Sequence, residues 1–276
     1  MSVSSESFQT KWSSALVVED QYAVPRCALV CLGANACITG RNEEKTRDMA
    51  QDIEKAREGS TVLPLIVDIR NGKDMAAAIE RCKAELGSID FVIAGAAGNF
   101  LASMNQLSTN AFKSVIDIDV LGSYNTVEAS LPYPLESAAA HQTLPGNAHP
   151  NGTGGRIIFV FATLHYTGHP MQTHVMAAKA GVDALSTSVA IEQGPRGITS
   201  NVIAPGGVAG TEWLSRLTEK GQDIRNKFIP AGRFGTLEIL QMRPSPCLAK
   251  PDRTSTGIYW LVDCLYPAQL DLTPTE

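Results

Sequence analysis

Apolar residues along this chain fall into short, nearly continuous runs, separated by longer stretches where they recur every three or four positions. The runs are "NACITG" (35–40), "TVLPLIVDI" (61–69), "DFVIAG" (90–95), "GRIIFVFA" (155–162) and "ITSNVIAP" (198–205). The helical-period stretches are "EEKTRDMAQDIEKARE" (43–58), "KDMAAAIERCKAEL" (73–86), a long segment at about 108–137, and "THVMAAKAGVDALSTSVAIEQ" (173–193). A strand that is apolar at successive positions has both faces buried, which describes a parallel sheet with helices on each side. Crossovers between parallel strands are right-handed, so the pattern predicts an α/β fold with a single doubly wound, Rossmann-like sheet.

The rhythm starts at residue 27 and fades after 236. It divides the chain into an atypical N-terminal segment (1–26), a Rossmann-like domain (27–236) and an atypical tail (237–276). "LVCLGANACITGRNEEKT" (29–46) reads as a helix end, a glycine turn, a second strand, then Arg41 and a new helix. A first strand and a glycine-rich phosphate loop belong upstream. Residues 1–28 contain no glycine. "SALVV" (14–18) is the one candidate for that strand slot, but Glu19 and Asp20 follow it and would face a pyrophosphate unfavourably. The tail has scattered prolines and weak periodicity, so the last strand is expected to be missing or replaced, like the first. "GTGG" (152–155) precedes a strand instead of following one, which is the wrong order for a phosphate loop.

Composition narrows the partners. Lys and Arg number 23 against 28 Asp and Glu, a formal charge of −5. That excess argues against nucleic acid or an anionic membrane as the main partner, while leaving room for a small anionic ligand. No apolar run reaches the ~18 residues of a membrane span. The six cysteines form no CxxC pair, which fits free thiols in a reducing compartment better than a metal site. The N-terminus has no basic-then-apolar leader.

Ligands of open α/β sheets lie beyond the C-terminal strand ends, so the residues there are the candidates. Arg41, after the second strand, would pair with a ribose 2′-phosphate and favour NADP; otherwise it is a solvated surface cation. Asp68 could accept from an adenine amine, or cap the helix that starts near Lys73. "AGAAGN" (94–99) brings small residues, Ala96 and Gly98 among them, to the end of a strand, as a platform for a flat ring or as a packing turn. "APGG" (204–207) brings Pro205 and Gly206 to the last clear strand end, where they and Thr211 would face a nicotinamide amide. Lys179 and Asp119 lie in otherwise apolar helical stretches. Each is costly there unless paired, and an Asp119–Lys179 ion pair would satisfy both. The alternative for Lys179 is an outward-reaching side chain.

Together these residues resemble the short-chain dehydrogenase/reductase family over about residues 27–237. "AGAAGNFLASMNQLSTNAFKSVIDIDVLGSYN", "TLHYTGHPMQTHVMAAKAGVDALS" and "APGGVAGTE" are similar to its peroxisomal-type 2,4-dienoyl-CoA reductase branch. The family's usual catalytic Tyr falls at Val175, four before Lys179, a departure shared by that branch. The resemblance implies that Asp119 stands where the wider family has Asn. It implies that Lys179 is the active-site lysine and also holds the nicotinamide ribose, and that Thr163 replaces the family's Ser. It gives Asn99 and Phe100 of "GNF" to the substrate pocket, with Tyr166 near a tyrosine of the mitochondrial-type enzymes at a different spacing.

The implied chemistry is reduction of a 2,4-dienoyl-CoA thioester to a 3-enoyl-CoA with NADPH, in the β-oxidation of unsaturated fatty acids. The implied assembly is a homo-oligomer without a membrane span. The implied compartment is the peroxisome, with the cytoplasm as second choice because the chain ends Pro-Thr-Glu and not in a Ser-Lys-Leu-type tripeptide. Two other readings remain. One is a non-catalytic or unstable, mis-spliced variant that has lost cofactor binding with the glycine loop. The other is a different enoyl-CoA or keto reductase of the same family.

Overall fold

The computed structural model describes residues 14–17, 29–31, 33–142, 154–205 and 259–262. Their seven strands form one sheet in the order β3-β2-β1-β4-β5-β6-β7. The strands are β1 (Ser14–Val17), β2 (Asn35–Gly40), β3 (Val62–Ile66), β4 (Phe91–Ala94), β5 (Arg156–Val160), β6 (Thr199–Pro205) and β7 (Tyr259–Val262). Every neighbouring pair is parallel. The order reverses at β1, where the chain moves from one half of the sheet to the other, and a ligand crevice is expected at that switch point.

Both strands outside the 27–236 segment belong to this sheet. "SALV" takes the central slot, with Leu16 level with Cys37 of β2 on one side and Val92 of β4 on the other. The tail, expected to lack regular elements, supplies β7, whose Val262 is level with Pro205. The correction has a simple cause. A parallel strand can be as short as four residues, and "YWLV" is a four-residue apolar run in an otherwise aperiodic stretch.

The helices are α1 (Glu43–Glu54), α2 (Gly72–Leu86), α3 (Thr109–Ile116), α4 (Gly122–Ser130), α5 (Pro132–Ala140), α6 (Leu164–Thr167) and α7 (Thr173–Gln193). Their starts are chemically marked. Asn42 accepts from the Lys45 amide, Asn71 from those of Lys73 and Asp74, and Ser108 from that of Ala111. The cap of α2 is therefore Asn71 and not Asp68. The single helix expected at 108–137 is interrupted by a π-helical turn, Asp117–Leu121, and restarts at Pro132, which suits a first helical position.

Alternation along the central strands divides the core. Val92, Ala94, Ile157 and Phe159 pack on one face with Cys37, Met75 and Ile79. Phe91, Ile93, Ile158 and Val160 pack on the other with Ile38, Ala50 and Ile53. A third cluster of Val115, Leu164, Val175 and Ala178 lies where α3, α6 and α7 meet. Each large side chain fully buried this way contributes on the order of 1.5–3 kcal/mol.

Gly155 lets the chain enter β5 beneath α5. A Cβ there would stand 2.2 Å from the Pro134 carbonyl oxygen and 2.6 Å from its carbon, both backbone atoms. Gly155→Ala is therefore expected to destabilise the fold by about 1–3 kcal/mol, read as a lower midpoint in thermal melting. An unchanged midpoint would show that α5 yields to the extra methyl.

Candidate active site

Helix α7 turns one stripe inward: Val175, Ala178, Lys179, Val182 and Ser186 are buried at helical spacing. Lys179 lies on that stripe with 6% of its side chain exposed, so it does not reach outward to solvent. Asp119 lies in the π-helical turn and is completely buried. Wide turns of this kind shift the register of the residues that follow and often occur at functional sites. Here Asp119 faces inward, while Leu121 and Tyr124 just beyond it stay exposed.

The two side chains meet. Lys179 Nζ donates to Asp119 Oδ2 at 2.8 Å, and the backbone N–H of Gly98 donates to Asp119 Oδ1 at 2.6 Å. Both carboxylate oxygens are thus engaged, one by a cation and one by the loop after β4. Isolated burial of either charge would cost several kcal/mol, whereas the hydrogen-bonded pair is tolerated. Lys179 keeps two further N–H donors on a group that lines a pocket.

That pocket is walled by Gly95, Ala97, Gly98 and Asn99 after β4, by Val160 to Ala162 and Leu164 after β5, and by Val175 and Lys179 of α7. Val175 presents an apolar side chain to it. Asn99 Oδ1 is buried with no hydrogen-bond partner among the described residues.

The other candidates divide. Ala96 packs toward the core and not into the pocket. Thr163 sits between two lining residues, half-buried at the start of α6, and its side chain makes no capping hydrogen bond. Phe100 stacks on His174 with ring centroids 4.1 Å apart. The structure does not bring Tyr166 to the pocket wall. Its hydroxyl donates to Asp183, which His165 Nε2 also contacts at 3.1 Å, and the residue is 56% exposed. Asp183 lies one helical turn beyond Lys179 on α7, and it is the partner of the phenol.

Beyond β2, Arg41 is exposed, and its charge helps hold the Asp68 carboxyl below its usual range. The larger cause is Arg70, whose guanidinium grips the same carboxylate, with Nε 2.9 Å from Oδ1. Two cations and one anion therefore meet at this edge. Pro205 ends β6, whereas Gly206 and Thr211 lie outside the described residues.

Sequence reasoning missed His174 and Gln172. Both are buried, and their Nε2 atoms lie 3.1 and 3.4 Å from the Phe100 carbonyl oxygen. The available signal was polar side chains among the small and apolar residues just before Lys179. Burial holds the His174 imidazole below its ordinary value near 6.5, against the opposing pull of the Phe100 carbonyl and of Asp119. The sign follows: between that value and the lower folded one, the unfolded chain binds a proton that the folded chain refuses. This contribution is complete above about pH 6.5 and is lost as pH falls below it. The melting midpoint should therefore drop more between pH 7.5 and 5.5 for the wild type than for His174→Gln; equal drops would remove His174 from the account.

No helix of the described residues is long and apolar enough to cross a membrane, and no group of three metal-ligating side chains occurs among them. Residues 27–222 match the model of the short chain dehydrogenase family. Peroxisomal 2,4-dienoyl-CoA reductase, (3E)-enoyl-CoA-producing, of Saccharomyces cerevisiae is 47% identical over 214 residues, covering 76% of this chain and 67% of that protein. The Arabidopsis thaliana protein of the same description is 38% identical over 84% of this chain and 75% of its own length. The mouse protein is 36% identical, with 65% of its length covered. Among solved structures, a short chain dehydrogenase from Bacillus anthracis superposes with a TM-score of 0.72 at 28% identity, over 94% of this chain and 98% of that one. A short-chain type dehydrogenase/reductase from Mycobacterium marinum reaches 0.79 at 22% identity, with the same coverage, a likeness of fold. The parallel sheet, the strand-end pocket and the family match converge: this chain belongs to the short chain dehydrogenase family of oxidoreductases, which use a nicotinamide cofactor.

Proposed function

We propose that this chain reduces 2,4-dienoyl-CoA thioesters to 3-enoyl-CoA products with NADPH. The observation that carries the reading is the buried Asp119–Lys179 pair beside a pocket whose wall has Val175 in place of a phenolic acid. The relatives named 2,4-dienoyl-CoA reductase support the substrate class. The residues fit a nicotinamide cofactor at two places. Small residues after β4 offer a flat backbone wall beside Lys179, and Arg41 offers a cation at the ribose end.

The bound cofactor supplies the hydride. What remains is charge and proton management by the chain. Reduction at the far end of a conjugated diene moves negative charge to the thioester oxygen. A preorganised cation in a water-poor site stabilises that charge far better than bulk water does. Lys179 supplies it, with its Nζ aimed by Asp119. A water hydrogen-bonded to Lys179 delivers the proton at the α carbon and takes one in turn from the Lys179 ammonium, which Asp119, held by the Gly98 amide, keeps in place, so that no tyrosine is needed. Asn99 orients the acyl group from the loop after β4, with Phe100 next to it, and Thr163 follows the lining residue Ala162 after β5. Asp68, Pro205, Gly206 and Thr211 belong to the cofactor side of the same reading.

A second reading has its own observation. No glycine occurs between Val17, where β1 ends, and Gly33, although the family's phosphate loop falls in that interval. In that case the chain keeps the pocket but not the cofactor. An NADPH titration of the folded chain, read by energy transfer from tryptophan to nicotinamide, separates the two. Micromolar binding followed by loss of diene absorbance supports the reductase; no binding by a folded chain supports the second reading. We further infer a homo-oligomer from exposed Leu121, Tyr124 and Ile191, and a peroxisomal compartment from the relatives' names. Sedimentation and organelle fractionation test these.

A further inference from the structure

Residues 98–102 are tied at both ends to elements of the site. At one end, the Gly98 amide holds Asp119. At the other, the Phe100 carbonyl receives His174 Nε2 at 3.1 Å and Gln172 Nε2 at 3.4 Å, and the Ala102 amide donates to the Met171 carbonyl at 3.1 Å. The Phe100 ring also stacks on the imidazole, nearly parallel at 24°. His174 and Lys179 lie on the same helix, so the loop spans from the start of α7 to the carboxylate that grips Lys179 farther along it.

Two details mark this contact as more than packing. His174 is wholly buried at the start of α7, and it donates from Nε2 to a loop carbonyl. Met171 adopts φ +63°, a conformation side chains avoid, at the residue whose carbonyl takes the Ala102 amide. Such strain persists only where neighbouring contacts over-determine it, and it clusters around functional sites.

We propose that His174 is a positioning residue. By holding the Phe100 carbonyl it fixes the Gly98 amide, which fixes Asp119, which aims Lys179 Nζ into the pocket. Gln172 supports the same carbonyl. The catalytic part of this inference rests on the reductase reading above; the clamp itself does not.

Two substitutions separate the donor from the ring. His174→Phe keeps the stacking surface and removes the donor. His174→Gln keeps an N–H at the ε position and removes the ring. Hydrogen–deuterium exchange of the peptide covering 95–103, measured without cofactor, should be at least tenfold faster in His174→Phe and within threefold of wild type in His174→Gln. With NADPH and a 2,4-dienoyl-CoA, kcat should fall tenfold or more in His174→Phe, with the NADPH KM within twofold, and recover most of that loss in His174→Gln. Exchange and kcat both within twofold of wild type in His174→Phe would overturn the proposal. So would a His174→Gln variant as impaired as His174→Phe, with α7 still protected. Should the wild type itself reduce no dienoyl-CoA, the reductase reading fails, and the exchange measurement alone decides the clamp.

Discussion

Asp119→Ala is expected to lower turnover by roughly 100- to 10,000-fold, the range for losing a positioned acid–base group, while NADPH affinity stays near that of the wild type. The same change should destabilise the fold by about 3–5 kcal/mol, because Lys179 is left as a buried charge with no counterion. For a chain of this length that is a drop in melting midpoint on the order of 10 °C. The two effects have different causes, and second variants separate them. Asp119→Asn keeps an acceptor for the Gly98 amide and loses only the charge, so most of the stability cost remains while the loop stays anchored. Combining Asp119→Leu with Lys179→Met removes both charges and replaces them with apolar volume. Stability should largely return, since a buried ion pair is worth little more than well-packed apolar side chains, but turnover should not. A double variant that is both stable and active would show that the pair serves the fold alone.

Arg41→Asp is expected to move cofactor preference from NADPH toward NADH by roughly 100-fold, judged from the ratio of their kcat/KM values. About tenfold comes from the lost charge-assisted contact and about as much again from repulsion between a carboxylate and a 2′-phosphate. A carboxylate at this place also accepts from an unphosphorylated ribose, so activity with NADH should hold or rise. Arg41 is exposed, and the difference should shrink as ionic strength rises and screening takes hold. The neighbouring Asp68–Arg70 pair keeps its internal contact, so the substitution changes the local charge without removing that support. An unchanged preference would mean that Arg41 is a surface cation and that discrimination lies elsewhere.

The strands and helices of the middle of the chain were legible because parallel strands buried on two faces write long apolar runs, and their helices write a stripe. Helix α7 was read with both its ends, 173 and 193. The 108–137 helix was not resolved into its parts. A π-helical turn leaves the apolar period almost intact, and only backbone hydrogen bonding reveals it. The tail strand escaped notice because four apolar residues among prolines carry no period.

At the site, residue chemistry alone pointed to the Asp119–Lys179 pair. Two charges in apolar helices each need a counterpart, and an Asp119–Lys179 pair was the reading that satisfied both, against an outward-reaching lysine. Tyr166 illustrates the opposite case. The family resemblance put it near a substrate-site tyrosine at a different spacing, whereas in the fold its hydroxyl donates to Asp183. Sequence by itself determined the doubly wound class, the extent of α7 and the charged residues that required partners. All of these follow from local periodicity and from the cost of burying unpaired charge. The tertiary structure alone decided that "SALV" and "YWLV" complete the sheet, that the π-helical turn aims Asp119 at Lys179, and that His174 and Gln172 hold the loop after β4. Those outcomes depend on contacts between residues far apart in the chain, such as 100 with 174 and 98 with 119, whose pairing no local pattern records.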